Sequence, residues 1–343
     1  MTPLARALAG QPEIFPHDYL PAQNAVSFVR LGEREIAEAS FLDQRVLTPG
    51  RAAEARPFAE VEAASARLPE RLGLIFHIGH VGSTLLSRLI GRHPGVLSLR
   101  EPQAFRTLAA LHLELERPES LFTPGEFERR LSLLLRLWSR PFGPGQLPVV
   151  KATSVCSAIA PAILARPSAP RAIMMAVEAE PFLATIRGGE NNPIDIRSHA
   201  SARLRRLHAR IGEARFRLAE MSLGEMTAMS WASETAALAD AAHVGGERVL
   251  RLDFDTFLRD PAAGVARALH FLGREVTVEE AAAIAASPDL RRYAKAPEHA
   301  YDAALRQAVL DQARALHGSE IRRGLTWLER LEALAPAVEP HAP

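Results

Sequence analysis

One loop of this chain, GHVGST at positions 79–84, combines residue types that bind anions. An apolar run at 72–78 precedes it and predicts a buried strand, and aliphatic residues at helical spacing follow it. Glycines let the backbone approach an anion, while unpaired N–H groups and the helix dipole provide a positive field. The loop therefore predicts an anion site. The alternative is a tight strand-to-helix turn in which Ser83 or Thr84 caps the helix.

Two charged residues stand at the ends of other apolar runs: Lys151 follows one directly, and Glu101 lies two residues after another. All but two of the 41 lysine and arginine residues are arginines, and Lys151 is one of the two lysines. Because nearly all basic residues of this chain are arginines, a lysine can mark a position that needs a compact point charge. The alternatives are a solvated lysine and, for Glu101, an acid that stabilises a helix N-terminus before Pro102. The loop itself is not a Walker A sequence, because no Gly-Lys-Ser/Thr triplet closes it.

The loop, Glu101 and Lys151 lie in a part of the chain where predicted strands alternate with predicted helices. Predicted strands span 72–78, 96–99, 147–150, 172–177 and 249–254, with helical patterns between them. This alternation predicts an α/β fold: a P-loop-like, doubly wound parallel sheet with helices on both faces and an accessory helical region. Ligands of such sheets bind at the carboxyl ends of the strands, where the loop, Glu101 and Lys151 all fall.

The predicted organisation has an N-terminal extension at 1–70, an α/β domain at 71–334 and a frayed tail at 335–343. The first segment reads as loops and short amphipathic pieces. Within the α/β domain, 191–245 reads as a helical insertion, a loop followed by two helices, the first at about 201–218. Arginines on one face of that helix, at positions 203, 206 and 210, are predicted to be solvated, with a surface for a partner or an acidic substrate as the functional alternative. Capping boxes at Thr123, Ser222 and Thr277 predict helix starts.

Composition excludes several classes of protein. A net charge of +1 gives no argument for nucleic-acid or membrane partners, and no apolar run is long enough to span a bilayer. The N-terminus lacks the apolar stretch of a secretory signal. The lone Cys156 excludes an internal disulfide, fits a reducing cytoplasm, and is predicted to be an inert buried thiol. We find no convincing set of metal ligands.

Four segments together resemble the sulfotransferase family, which transfers a sulfuryl group from 3′-phosphoadenosine 5′-phosphosulfate (PAPS). They are HIGHVGSTLLSRL, HPGVLSLREP, VVKAT and LRLDFDTFLRDPAAGVARALHFLG, and they occur in the family's order. The likeness is strongest to uncharacterised bacterial sulfotransferase-like proteins with a Gly-Ser-Thr-Leu-Leu loop.

The resemblance implies roles for individual residues. Lys151 matches the lysine on the transferring sulfonate, and Glu101 matches the base that activates the acceptor. The chemistry of its side chain makes His80 a third candidate at the catalytic centre, as a donor to the leaving group or a second base, and the alternative is a loop residue that caps backbone groups. The residues implied in donor binding are Gly79, Val81, Gly82, Ser83 and Thr84 around the 5′-phosphosulfate, Thr185 and Arg187 near the 3′-phosphate, and Arg292, Tyr293 and Lys295 in place of the family's Gly-x-x-Gly-x-Trp-Lys segment.

Two positions depart from the family pattern. His80 stands where the loop usually has a lysine or arginine, and Val177 stands where the 3′-phosphate arginine is expected. The predicted function is transfer of a sulfuryl group from PAPS to a hydroxyl of a small-molecule or peptide acceptor, without nucleic-acid or membrane partners. The alternatives are a sulfotransferase-like module that binds a nucleotide or a protein without catalysis, and a phosphotransferase in which Asp253 plays a Walker-B-like role.

Overall fold

A five-stranded parallel sheet forms the centre of the computed structural model, which describes residues 1–189, 192–291 and 303–334. Its strand order is β5-β6-β4-β7-β8, and a separate three-stranded antiparallel sheet has the order β1-β2-β3. All five parallel strands were predicted. The strands are β1 (Ile14–Leu20), β2 (Ala25–Arg30), β3 (Glu54–Pro57), β4 (Gly73–His77), β5 (Val96–Arg100), β6 (Leu147–Lys151), β7 (Arg171–Ala176) and β8 (Val249–Asp253).

Helices cover both faces of the parallel sheet, which confirms the predicted fold class. The chain runs from β4 towards the β5 edge once and towards the β8 edge in each later crossover. Because such crossovers are right-handed, the helix after β4 lies on one face of the sheet, and the helices that follow β5, β6 and β7 lie on the other. The helices are α1 (Pro3–Gly10), α2 (Glu33–Glu38), α3 (Phe58–Ser65), α4 (Ser83–Ile90), α5 (Gln103–His112), α6 (Pro124–Trp138), α7 (Ala160–Leu164), α8 (Ala179–Gly188), α9 (Asn192–Ile211), α10 (Leu223–Gly245), α11 (Phe254–Arg259), α12 (Pro261–Phe271), α13 (Val278–Ala285) and α14 (Ala303–Leu334).

Several predicted helix boundaries are confirmed. Thr123, Ser222 and Thr277 each cap a helix with a reciprocal capping box. The helix predicted at about 201–218 is α9, which begins at Asn192 and ends at Ile211, so its start and end were both placed too late. No helix in the described part of the chain is long and apolar enough to cross a membrane.

The N-terminal segment is more regular than predicted, since it holds the antiparallel sheet as well as short helices. Pro16 lies inside β1, where the register with β2 shifts, and proline at such an irregularity disguises a strand in the sequence. The segment packs on the rest of the chain, because β1 contacts α5 and α6, and α2 contacts β5. This contact brings its residues close to the carboxyl ends of the parallel strands.

Candidate functional site

The loop between β4 and α4 leaves the N-terminus of α4 uncapped. The N-cap is Gly82, and no side chain accepts a hydrogen bond there, so the alternative in which Ser83 or Thr84 caps the helix is wrong. Thr84 Oγ1 is buried and has no hydrogen-bond partner. The first-turn N–H groups and this hydroxyl therefore have the character of an anion site, which stays a prediction.

Gly82 is required by both its backbone and its surroundings. Its φ is 66°, and a Cβ at this position would overlap the ring of Phe254. The ring belongs to α11, which follows β8 directly. The loop is therefore shaped by a residue from the far edge of the sheet.

We expect Gly82→Ala to lower the free energy of unfolding by about 2–4 kcal/mol, because it adds left-handed strain to overpacking. Urea unfolding measures this loss. Phe254→Ala removes the ring that a Cβ at position 82 would overlap. In that background Gly82→Ala should therefore cost less unfolding free energy than it does in the wild-type protein. An unchanged midpoint for Gly82→Ala would contradict the observed packing.

Two histidines flank the start of the loop. His77 Nδ1 accepts the N–H of Gly79 at 2.9 Å, and Nε2 lies 2.9 Å from the carbonyl oxygen of Ala152. Since Nδ1 is the acceptor, Nε2 carries the proton and the ring is neutral. His77 thus ties the loop to the end of β6. His80 has a φ of 55°, a strained conformation for a residue with a side chain, and it borders the cleft described below.

Lys151 and Glu101 form a buried ion pair at the carboxyl edge of the sheet. Lys151, the last residue of β6, lies opposite Ile75 in β4 and Arg100 in β5, and its side chain is 0% exposed. The alternative of a solvated lysine is therefore wrong. Glu101 has a φ of 50°, and its N–H donates to the Lys151 carbonyl at 2.7 Å. This bond sets the glutamate beside the lysine.

The ion pair is one end of a row of alternating charges that reaches the surface. Arg106 Nη2 donates to Glu101 Oε2 at 2.7 Å and lies 3.8 Å from Asp43 Oδ2. Asp43 in turn holds Arg45 at 2.5 Å. Burial alone would raise the pKa of Asp43, but the hydrogen bonds and charges of Arg45 and Arg106 hold that pKa below its usual value. In this row Lys151 holds one carboxylate oxygen of Glu101 and Arg106 holds the other.

A cleft of about 710 Å³ opens from this charge row and runs between α5 and α9. It is large enough for a small organic molecule. Gly79, His80 and Glu101 line its inner end, while Ala110 of α5 and Ala202 of α9 line its walls. The inner end brings the loop and the predicted base together.

Beneath the α9 wall lies a buried network that the sequence did not predict. Arg203 is 1% exposed, and its Nε donates to Glu234 Oε1 at 2.7 Å, while Arg206 Nη2 lies 3.0 Å from the same oxygen. The prediction that the arginines of this face are solvated is therefore wrong for Arg203, because α10 covers it with a carboxylate, and holds only in part for Arg206, whereas Arg210 is exposed. Burial opposes ionisation of Glu234, but Arg206, Arg203 and the Ser157 hydroxyl hold its pKa below the usual value.

The residues predicted near the 3′-phosphate diverge in space. Val177 is buried, whereas Arg187 approaches His317 of α14, with Nη2 3.4 Å from Nδ1. Thr185 instead faces Arg306 of α14, whose Nη1 lies 3.5 Å from the threonine hydroxyl oxygen.

Arg306 is itself buried and fixed in place. It donates to Asp255 Oδ1 at 2.8 Å, and its guanidinium carbon lies 4.6 Å from the centre of the Phe254 ring. The sequence did not predict a role for Arg306, because no local pattern indicates that α14 packs against α8. Arg292, Tyr293 and Lys295 lie outside the described residues. Within the described part, no three metal-ligating side chains cluster.

The chain resembles known proteins in structure but not detectably in sequence. No protein-family model matches the chain, and no curated protein matches it significantly. Solved structures do match it. Several of them are sulfotransferases.

Three of these structures illustrate the likeness. The sulfotransferase domain from the curacin biosynthetic pathway has a TM-score of 0.41 and 14% identity, over 77% of this chain and 98% of that one. Mouse sulfotransferase SULT7A1, complexed with PAP, has a TM-score of 0.38 and 12% identity, over 82% of this chain and 94% of that one. Sulfotransferase STF9 from Mycobacterium avium has a TM-score of 0.38 and 12% identity, over 91% of this chain and 95% of that one.

Proposed function

We propose that this chain transfers a sulfuryl group from PAPS to a hydroxyl of an acceptor bound between α5 and α9. The observation that carries the proposal is the buried Lys151–Glu101 pair at the inner end of the cleft, which the loop before the uncapped N-terminus of α4 also lines. Together these features offer a cation for the leaving oxygen, a carboxylate for the acceptor proton and amides for anionic oxygens. Sulfuryl transfer needs these three elements.

The residues around the loop fit the 5′ part of such a donor. Gly82 leaves the first-turn amides of α4 open, and the buried Thr84 hydroxyl lacks a partner, so both could hold oxygens of the phosphosulfate. PAPS supplies a sulfuryl group joined to a phosphate leaving group. Lys151 then stabilises the negative charge that develops on the bridging oxygen.

Glu101 completes the transfer by accepting the proton of the acceptor hydroxyl. The new bond joins the acceptor oxygen to sulfur, and the bond that breaks joins sulfur to the bridging phosphate oxygen. Arg106 keeps one carboxylate oxygen oriented, while Lys151 leaves the other as it turns towards the bridging oxygen. Binding of the donor thereby frees the base at the moment when the acceptor must be activated.

We further propose that Arg306 contacts the 3′-phosphate in place of the arginine absent at Val177. Its position beside Thr185 supports this assignment. Arg306→Ala should weaken binding of 3′,5′-adenosine bisphosphate about 10- to 100-fold, the effect of losing a charge-assisted hydrogen bond, and should leave binding of 5′-AMP nearly unchanged.

Calorimetric titration measures both affinities. Arg314→Ala is the matched control, because Arg314 lies on the same helix and pairs with Glu180 and Asp311. An equal loss of affinity for both nucleotides would contradict the assignment of Arg306 to the 3′-phosphate.

The proposed function is tested by titrating the protein with 3′,5′-adenosine bisphosphate and then assaying PAPS turnover on a panel of hydroxyl compounds. Binding with turnover is the expected result. No binding by the wild-type protein would refute the use of PAPS. Binding without turnover on a broad panel would favour the nucleotide-binding module.

A further inference from the structure

We propose that the acceptor carries an oxyanion group, a carboxylate, sulfate or phosphate, in addition to its reacting hydroxyl, and that Arg206 binds that group. This inference rests on the proposed function and concerns the same cleft. Arg206 projects from α9 into the wall of the cleft, while Glu101 lies at the inner end. An acceptor held by both would have its hydroxyl at Glu101 and its charge against α9.

The guanidinium of Arg206 is held from behind, away from the cleft. Its Nη1 donates to the Ser157 hydroxyl at 3.3 Å, and its Nη2 lies 3.0 Å from Glu234 Oε1. Glu234 is fully buried, so these contacts fix the direction of the arginine at its rear edge. Pre-organisation of this kind reduces the entropy that an arginine loses when it binds a carboxylate or phosphate.

Arg206 is also under-bonded. Glu234 already accepts from Arg203 and from Ser157, so its single charge is shared between two guanidinium groups. Arg203 has a second acid, Asp195, at 3.5 Å, but Arg206 has no other carboxylate within ion-pair distance in the described residues. Its Nε is buried without a partner. A partly exposed cation whose charge is only partly neutralised favours a ligand that brings an anionic acceptor.

The walls of the cleft favour a polar acceptor. The side chains facing it from α9 include Asn192, Asp195 and His199, and those from α5 include Gln103 and Thr107. These side chains can hydrogen-bond a hydroxylated, charged molecule.

Matched pairs of hydroxyl compounds test the inference: glucose with glucuronate, and 4-hydroxybenzamide with 4-hydroxybenzoate. Each pair is titrated by NMR into protein saturated with 3′,5′-adenosine bisphosphate, and PAPS turnover is followed in parallel. We expect the anionic member to bind or react at least 10-fold better in the wild-type protein. Arg206→Gln, which still hydrogen-bonds Glu234, should abolish this preference through KM.

Arg210→Gln is the matched control, since Arg210 lies one turn further along α9, pairs with Asp240 and lies outside the cleft lining. It should keep the preference, and thermal unfolding should show all variants folded. If Arg206→Gln fails to fold, Arg206→Lys should retain part of the preference. Equal binding of neutral and anionic members overturns the inference while leaving the proposed function intact. Failure to bind the bisphosphate refutes the proposed function, whereas an anion preference that Arg206→Gln removes would still support the oxyanion site.

Discussion

Lys151→Met is expected to lower kcat for sulfuryl transfer about 100- to 1000-fold, with a much smaller effect on binding of 3′,5′-adenosine bisphosphate. In the proposed mechanism the ammonium group stabilises charge that appears only as the bridging oxygen leaves, so its loss should fall on the transition state. The bisphosphate carries no sulfonate, and in the same proposal the first-turn amides of α4 hold its 5′-phosphate in the variant as well. Single-turnover kinetics and calorimetry separate the two effects.

The same substitution also leaves Glu101 buried beside an apolar side chain. Breaking a buried pair on one side costs about 3–5 kcal/mol of unfolding free energy, so the variant must be tested for folding first. The double variant Lys151→Met/Glu101→Gln removes both charges and should recover much of that stability without recovering activity. Turnover near the wild-type rate in folded Lys151→Met would exclude Lys151 from the chemical step.

Glu101→Gln is expected to lower kcat about 100- to 10,000-fold, the range associated with loss of a general base. Glutamine keeps the shape of glutamate and can still accept a hydrogen bond from Lys151, so the site should stay assembled. Affinity for the bisphosphate should therefore change little. The pH dependence of kcat/KM reports the same group, because the limb assigned to the base should disappear.

A matched variant decides between the two candidate bases. His80→Asn removes the imidazole from the loop but keeps a residue that tolerates a positive φ. If Glu101 is the base, His80→Asn should retain the low-pH limb that Glu101→Gln loses. The reverse pattern would assign the proton transfer to His80.

The sequence predicted those parts of the fold that local patterns control. Five apolar runs became the five parallel strands, and Thr123, Ser222 and Thr277 begin helices because capping depends on residues three positions apart. Lys151 was picked out by its rarity and its place at a strand end. The antiparallel N-terminal sheet was missed, because Pro16 interrupts the pattern that marks a strand.

Partners from distant parts of the chain could not be predicted. Helical spacing placed Arg203 and Arg206 on one face of a helix, but nothing in it shows that α10 brings Glu234 against that face. Arg106 meets Glu101 locally, whereas Asp43 comes from the N-terminal segment. His77 lies in an apolar run and was not predicted near the site, although a polar residue at the end of a strand can indicate such a position.

The row of alternating charges bears on where this protein could be divided. Asp43 belongs to the segment before the parallel sheet, yet it shares Arg106 with Glu101. A fragment beginning at residue 71 would keep the whole parallel sheet and the loop but would leave Arg106 with one carboxylate instead of two. An expression boundary drawn at the edge of the α/β sheet would therefore cut through the row of charges that ends at the proposed base.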